Sequence, residues 1–297
     1  MEKKFVPALS IGKVLNDNLS DENKFMPGRL ITGDEAYDAY HLHLYFKEIL
    51  NTKLHFNELI RADRNEFLKT IIEYSIHKKN DLAICELGSS LMEIIDGFDH
   101  IKNNFFNKFD NNVNFFGIEK SSFLAESSSL LHPNKEIKIW ENFKEVDFNL
   151  INKNNNISIL VDRAVSSYAF SNIDEYINFI NNFDISFLQI FGFIDEEKIV
   201  QDTIGTELLY FNLSELFDKL DNFYHMYGTS RPTRPESLLK NKKCIEGFFL
   251  NFKDAHLAKE FFLTFKSSNS FINYYKEKIV NESFNNNSIK NLKNLFY

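Results

Sequence analysis

Two carboxylates and a glycine carry the clearest chemical spacing in this chain. The apolar run Leu82-Ala83-Ile84-Cys85 stops at Glu86-Leu87-Gly88-Ser89-Ser90, and a second run, Val113-Asn114-Phe115-Phe116-Gly117-Ile118, ends on Glu119. A carboxylate at a strand tip can accept hydrogen bonds from both hydroxyls of a ribose. A glycine in the facing turn lets the backbone approach a ligand closely. Strand, glycine turn, helix and a second strand closing on an acid form the first βαβ unit of a nucleotide-binding α/β domain. A full G-x-G-x-x-G turn is absent, because Gly88-Ser89-Ser90 reaches another glycine only at Gly97.

The elements that must position these groups follow in order. Residues 136–140 read as a third strand, 157–161 as a fourth ending at Asp162, and 187–192 as a fifth, with helical periodicity at 173–180 between the last two. Residues 211–216 carry a helix-start pattern, 223–227 a sixth strand, and 244–252 a final strand. Arg231-Pro232-Thr233-Arg234-Pro235 reads as a stiff basic loop between those two strands. Apolar strands alternating with helices of this size predict a parallel sheet covered on both faces. Upstream, residues 35–50 place Tyr37, Tyr40, His41, Leu44 and Tyr45 on one helical face, and a second helix is predicted over 56–77.

With 297 residues, 43% of them hydrophobic and 32 of them Phe, the chain can bury a large core. A formal charge of −8 argues against a nucleic-acid surface, which needs a net basic face. The two cysteines, Cys85 and Cys244, each lie in an apolar run and read as small buried residues of a reducing compartment. Met1-Glu2-Lys3-Lys4 precedes only a short apolar stretch broken by Pro7, so no targeting or membrane segment is read and a cytoplasmic location is expected. Clusters of asparagine at 154–156 and 285–287 are given no function.

On Glu86, Gly88 and Glu119, the chain resembles the class I S-adenosylmethionine-dependent methyltransferases over residues 65–265. The resemblance implies a seven-stranded, mostly parallel Rossmann-like sheet whose last strand runs antiparallel between the fifth and sixth. It implies an N-terminal helical cap over residues 1–64 and, beyond the sheet domain, a C-terminal helical extension over 266–297. S-adenosylmethionine is the implied cofactor. Glu119 would then lie at its ribose and Glu86 at its methionine end, with Gly88, Ser89 and Lys120 as further cofactor-binding residues. Trp140, Glu141 and Asn142 would lie at its adenine, with Asp162 near the methionine and the acceptor. In that family the turn carries two or three glycines, and this chain departs from it.

Methyl transfer from a sulfonium needs alignment of the nucleophile and removal of a proton, with little covalent help. His41 and Asp162 are the candidates for that work, with His43, His132 and His225 as further histidines. Tyr37, Tyr40, Arg163 and Arg231 are candidates for holding the acceptor. Asp195 and Glu196 follow strand five, but no spacing forms a metal motif and no metal is expected. A small-molecule acceptor, methylated on oxygen and of natural-product or sugar type, is the leading expectation. Strand four runs into Asp162-Arg163-Ala164-Val165, where amino-methylating relatives carry an Asn-Pro-Pro-Tyr motif. No nucleic-acid or membrane partner is expected, and the oligomeric state is open, a homodimer included. The alternative is a methyltransferase-like fold that binds a ligand or partner without catalysis, and a dehydrogenase stands third for want of the full glycine turn.

Overall fold

A computed structural model describes residues 62–267, except 154–155, 164, 195, 202–206 and 233–242. The expected N-terminal cap with Tyr37, Tyr40, His41 and His43, most of the C-terminal extension, and Asp195 therefore lie outside the described residues.

The first described helix, α1 (Ala62–Lys78), buries Phe67, Leu68, Ile71, Ile72 and Tyr74 on one side. Five parallel strands then follow with helices between them: β1 (Asp81–Leu87), α2 (Glu93–Phe105), β2 (Val113–Ile118), α3 (Ser122–Leu131), β3 (Ile137–Trp140) and the short α4 (Phe148–Ile151). After these come β4 (Asn156–Arg163), the short α5 (Ser166–Ala169), α6 (Ile173–Ile180) and β5 (Ile185–Phe193). Side-chain caps set the helix starts. Ser121 accepts from the Leu124 N–H at α3, and Asn172 accepts from the Glu175 N–H at α6.

The central strands β1, β4 and β5 are buried on both faces, which is why their sequences read as nearly continuous apolar runs. Leu82, Ile84, Phe115, Ile159, Val161, Ile185 and Phe187 face one layer, formed by α1, α2 and α8 (Ala255–Ser267). Ala83, Cys85, Phe116, Ile118, Leu160, Leu188 and Ile190 face the other, formed by α6 and α7 (Leu213–Lys219). Burial drives the Cys85 thiol pKa well up, in line with its reading as a small core residue.

The strand order is β3-β2-β1-β4-β5. Beyond β5 lies β9 (Lys243–Phe252), antiparallel to it from Ile185↔Phe252 to Gly192↔Ile245, and β8 (Phe223–Pro232) pairs antiparallel with β9. The last strand thus enters between the fifth and the outer one, as expected.

Three expectations need correction. Among the described residues the sheet has nine strands rather than seven, because β6 (Lys198–Gln201) and β7 (Glu207–Asn212) form an extra antiparallel pair. Gly192 pairs with Ile245 on one edge and with Phe211 of β7 on the other, while β4 ends its pairing at Gln189. β7 therefore takes the edge of β5 that β4 vacates, and the β6–β7 hairpin stands beyond the C-terminal tip of β4. Arg231 and Pro232 belong to β8 rather than to a loop, since antiparallel pairing continues to Pro232↔Lys243. β1, β4, β5 and β9 run one or two residues past the apolar runs that announced them, because ladder pairing extends into polar flanks such as Asp81 and Arg163.

Candidate cofactor site at the tips of β1, β2 and β4

Strand order reverses direction between β1 and β4, since β1 has β2 on one side and β4 on the other. In open α/β sheets, ligands bind in the crevice outside the C-terminal strand ends at such a switch point. Glu86, Gly88, Glu119, Asp162 and Arg163 all stand at those ends.

Glu119 is buried, and its carboxylate links the β1 turn to the segment after β2. Oε2 accepts from the Ser90 N–H of the β1 turn at 2.9 Å, and Oε1 accepts from the Ser121 N–H at 3.0 Å. Its own N–H donates to the Trp140 carbonyl at 2.9 Å. A carboxylate offers about four acceptor positions. The two backbone bonds fix its plane at the tip of β2. Lys120, next in the chain, is exposed.

The β1 turn is built from unusual backbone. Gly88, Ser90 and Met92 all have positive φ, at 64°, 48° and 58°. The Gly88 and Ser89 N–H groups both donate to the Ile118 carbonyl, at 2.9 and 3.1 Å. From α3, Ser128 Oγ donates to the Ser90 carbonyl at 3.0 Å, and His132 Nε2 lies 3.2 Å from the Leu91 carbonyl. The turn is therefore held by β2 and α3 together. His132 is a buried, packed residue there, and the geometry gives it no place as a base.

Close approach at Gly88 is made by the chain itself. A Cβ on Gly88 would lie 2.5 Å from Val165 Cγ2, so the loop after β4 closes directly on the β1 turn. The departure from the family's glycine pattern is matched by a glycine elsewhere. Ser89 takes the turn position where a glycine was expected, and its side chain points at β2, where a Cβ on Gly117 would lie 2.4 Å from Ser89 Oγ and 2.9 Å from Met92 Sδ. Gly117 leaves the room that Ser89 fills. Its signal in the sequence was a glycine inside a strand, which marks a close backbone approach.

Other expected contacts are engaged inside the protein. Trp140 is buried and stacks on Phe116, with ring centroids 5.6 Å apart and planes at 14°. Asn142 caps the 3₁₀ turn Phe143–Glu145 through its bond from the Lys144 N–H, while Glu141 is exposed. Asp162 is fully buried: Oδ1 accepts from the Val165 and Ser166 N–H groups at 2.9 and 3.2 Å, and Oδ2 from the Tyr176 hydroxyl at 3.0 Å. Burial raises its pKa, an effect the hydrogen bonds from Ser166, Tyr176 and Val165 oppose. These bonds shape the loop after β4.

Arg163 is likewise taken up. Its Nε donates to Glu86 Oε1 at 3.1 Å, and its Nη2 stands 3.6 Å from Oε2 of Glu93, the first residue of α2. Glu86 is fully buried and Glu93 nearly so. Glu93 was missed in the sequence because an acid in the first turn of a helix is ordinary there. The backbone of Arg231 lies in β8. Among the described residues, no group of three or more His, Cys, Asp and Glu is placed to hold a metal ion, and no helix is long and apolar enough to cross a membrane.

No family model matches the chain, and no curated protein matches it. Solved structures are similar in shape. One is a putative S-adenosylmethionine-dependent methyltransferase from Listeria monocytogenes, 9% identical with a TM-score of 0.41, over 62% of this chain and 100% of that one. Another is 1,6-didemethyltoxoflavin-N1-methyltransferase from Burkholderia thailandensis, solved with S-adenosylhomocysteine, 9% identical with a TM-score of 0.40, over 75% and 92%. CalS10, an amino pentose methyltransferase from Micromonospora echinaspora, is 8% identical with a TM-score of 0.37, over 68% and 98%. The strand order β3-β2-β1-β4-β5, followed by an antiparallel β9 and an outer β8, is the sheet arrangement that the resemblance to the class I S-adenosylmethionine-dependent methyltransferases implies.

Proposed function

We propose that the protein binds S-adenosylmethionine at the β1–β2–β4 tips and transfers its methyl group to a small molecule. One observation carries the reading. At the tip of β2, beside the topological switch point, Glu119 is held in a fixed plane by two backbone N–H groups, one of them from the glycine turn. A carboxylate so oriented suits a pair of vicinal ribose hydroxyls, at roughly 1.5–3 kcal/mol for a charge-assisted bond. When bound, the cofactor supplies the activated methyl; the chain's residues orient it and the acceptor. Oxygen is the proposed acceptor atom, on a natural-product or sugar-type compound. The basis is the Asp162-Arg163-Ala164-Val165 sequence after β4 in place of an amide-binding motif. The exposed rings of Phe123, after β2, and Tyr168, after β4, support an acceptor with an apolar or planar part.

Calorimetric titration with S-adenosylmethionine and S-adenosylhomocysteine tests the reading. Micromolar binding that weakens about ten- to a hundredfold in Glu119→Gln is expected; a folded wild type that binds neither ligand refutes it. A second reading, a binding module without turnover, is favoured by the burial and full engagement of Asp162. A methyl-transfer assay on a cofactor-binding preparation separates the two.

A further inference from the structure

Ser128 of α3 and His132, just past its end, stand one helical turn apart, and both are buried. Their polar atoms land on successive carbonyls of the turn after β1. Ser128 Oγ donates to the Ser90 carbonyl at 3.0 Å, with a hydrogen it shares with the Leu124 carbonyl at 2.8 Å. His132 Nε2 lies 3.2 Å from the Leu91 carbonyl, which can only accept, so Nε2 is a ring nitrogen that carries hydrogen. The same nitrogen stands 3.8 Å from the Asp96 carboxylate on α2. These carbonyls belong to a strained stretch. Ser90 and Met92 flank Leu91 with φ of 48° and 58°, a region that a side chain makes unfavourable and that glycine enters freely. Such strain persists only where the surroundings hold it. The Ser90 N–H is also the group that meets Glu119 Oε2, and relaxation of Ser90 to negative φ would swing it away.

We infer that Ser128 and His132 are positioning residues for the cofactor. They hold the backbone of residues 90–92 in its left-handed form, and through the Ser90 N–H they fix the plane of the Glu119 carboxylate. The inference rests on the cofactor proposed above. It gives the buried polar groups of α3 a task that the helix does not itself require, since the buried side of a helix is served by apolar residues. The turn thus keeps its shape without a second glycine because α3 enforces a conformation that a missing side chain would merely permit.

The test is calorimetric titration of S-adenosylhomocysteine into wild type, Ser128→Ala, Ser90→Gly and the double variant, with urea unfolding to confirm that each is folded. Ser128→Ala is expected to weaken binding about three- to tenfold. Ser90→Gly removes the strain that the α3 bond opposes, so in that background the same change should cost less than about twofold. A role in stability alone would lower the unfolding midpoint and leave the affinity of the folded protein unchanged. Unchanged affinity in Ser128→Ala, or a loss as large in the Ser90→Gly background as in wild type, overturns the inference. His132→Phe keeps a ring and removes the donor, and it is read the same way if Ser128→Ala does not fold. The Ser90 amide proton resonance, followed without ligand, separates two failures. It lies downfield while the N–H donates to a carboxylate, and Ser128→Ala should move it upfield. A wild type that binds no S-adenosylhomocysteine refutes the cofactor reading, whereas an unmoved Ser90 resonance refutes the positioning by α3.

Discussion

Gly117→Ala is the sharpest perturbation of the turn that the structure offers. The added methyl would stand 2.4 Å from Ser89 Oγ, 2.8 Å from Ser89 Cβ and 2.9 Å from Met92 Sδ. Ordinary contacts lie near 3.5–4 Å, so Ser89 must move by about 1 Å while its N–H is bonded to Ile118 and its neighbour Ser90 is bonded to Glu119. Overpacking of this kind costs about 1–3 kcal/mol, against a gain of roughly 0.5–1 kcal/mol from replacing glycine within a strand. A net loss of about 1–2 kcal/mol is expected, near 2–8 °C in Tm for a domain of this size. Ser89→Gly removes the first two clashes and leaves only the flexible end of Met92. The double variant Ser89→Gly/Gly117→Ala should therefore recover about 1 kcal/mol or more relative to additivity. Thermal and urea unfolding of the four proteins completes the cycle. A Gly117→Ala protein as stable as wild type, or strictly additive effects, would refute the claim that Gly117 makes room for Ser89.

Further outcomes follow from the same geometry. Glu119→Ala leaves the Ser90 and Ser121 N–H groups without their acceptor, so it should lower stability by about 1–3 kcal/mol as well as weaken cofactor binding, seen by urea unfolding. Asp162→Ala should cost about 2–4 kcal/mol through three lost bonds, whereas Asp162→Asn keeps the shape and drops the buried charge. Because the folded pKa of Asp162 is raised by burial, the folded state binds the extra proton above the unfolded value of about 3.9, and wild-type stability falls as pH rises through that window. The Tm of Asp162→Asn relative to wild type should therefore climb as pH increases from about 4; a relative Tm that falls would show that the charge is a net stabiliser. Ser128→Ala should loosen the turn by about 1 kcal/mol and speed amide exchange at Ser90, since Ser128 Oγ is bonded to the Ser90 carbonyl.

Much of the architecture was legible because burial on both faces writes a parallel strand as an apolar run. The residues of β1, β2, β4 and β5 announced themselves that way, and the amphipathic spacing of Ile173–Ile180 matched α6 residue for residue. The β6–β7 pair was not legible. Its strands are short, β6 has Lys198 and the exposed Ile199, and their place on β5 depends on where β4 ends. Among the candidate site residues, Glu119 follows β2 and Gly88 lies in the turn after β1. Trp140, Asn142 and Asp162 sit at the expected strand tips, yet their side chains are spent on a ring stack, a cap and a loop.

The sequence by itself determined the order of β1 to β5, the acid at the end of β2 and the turn after β1, because local periodicity and turn chemistry act over a few residues. Tertiary structure alone decided which polar groups face the crevice and which are consumed within the chain. Arg163 meets Glu86 across 77 positions, and Gly117 makes room for Ser89 across strands. Such pairings depend on strand register, which is fixed by the packing of two buried faces and not by any local pattern.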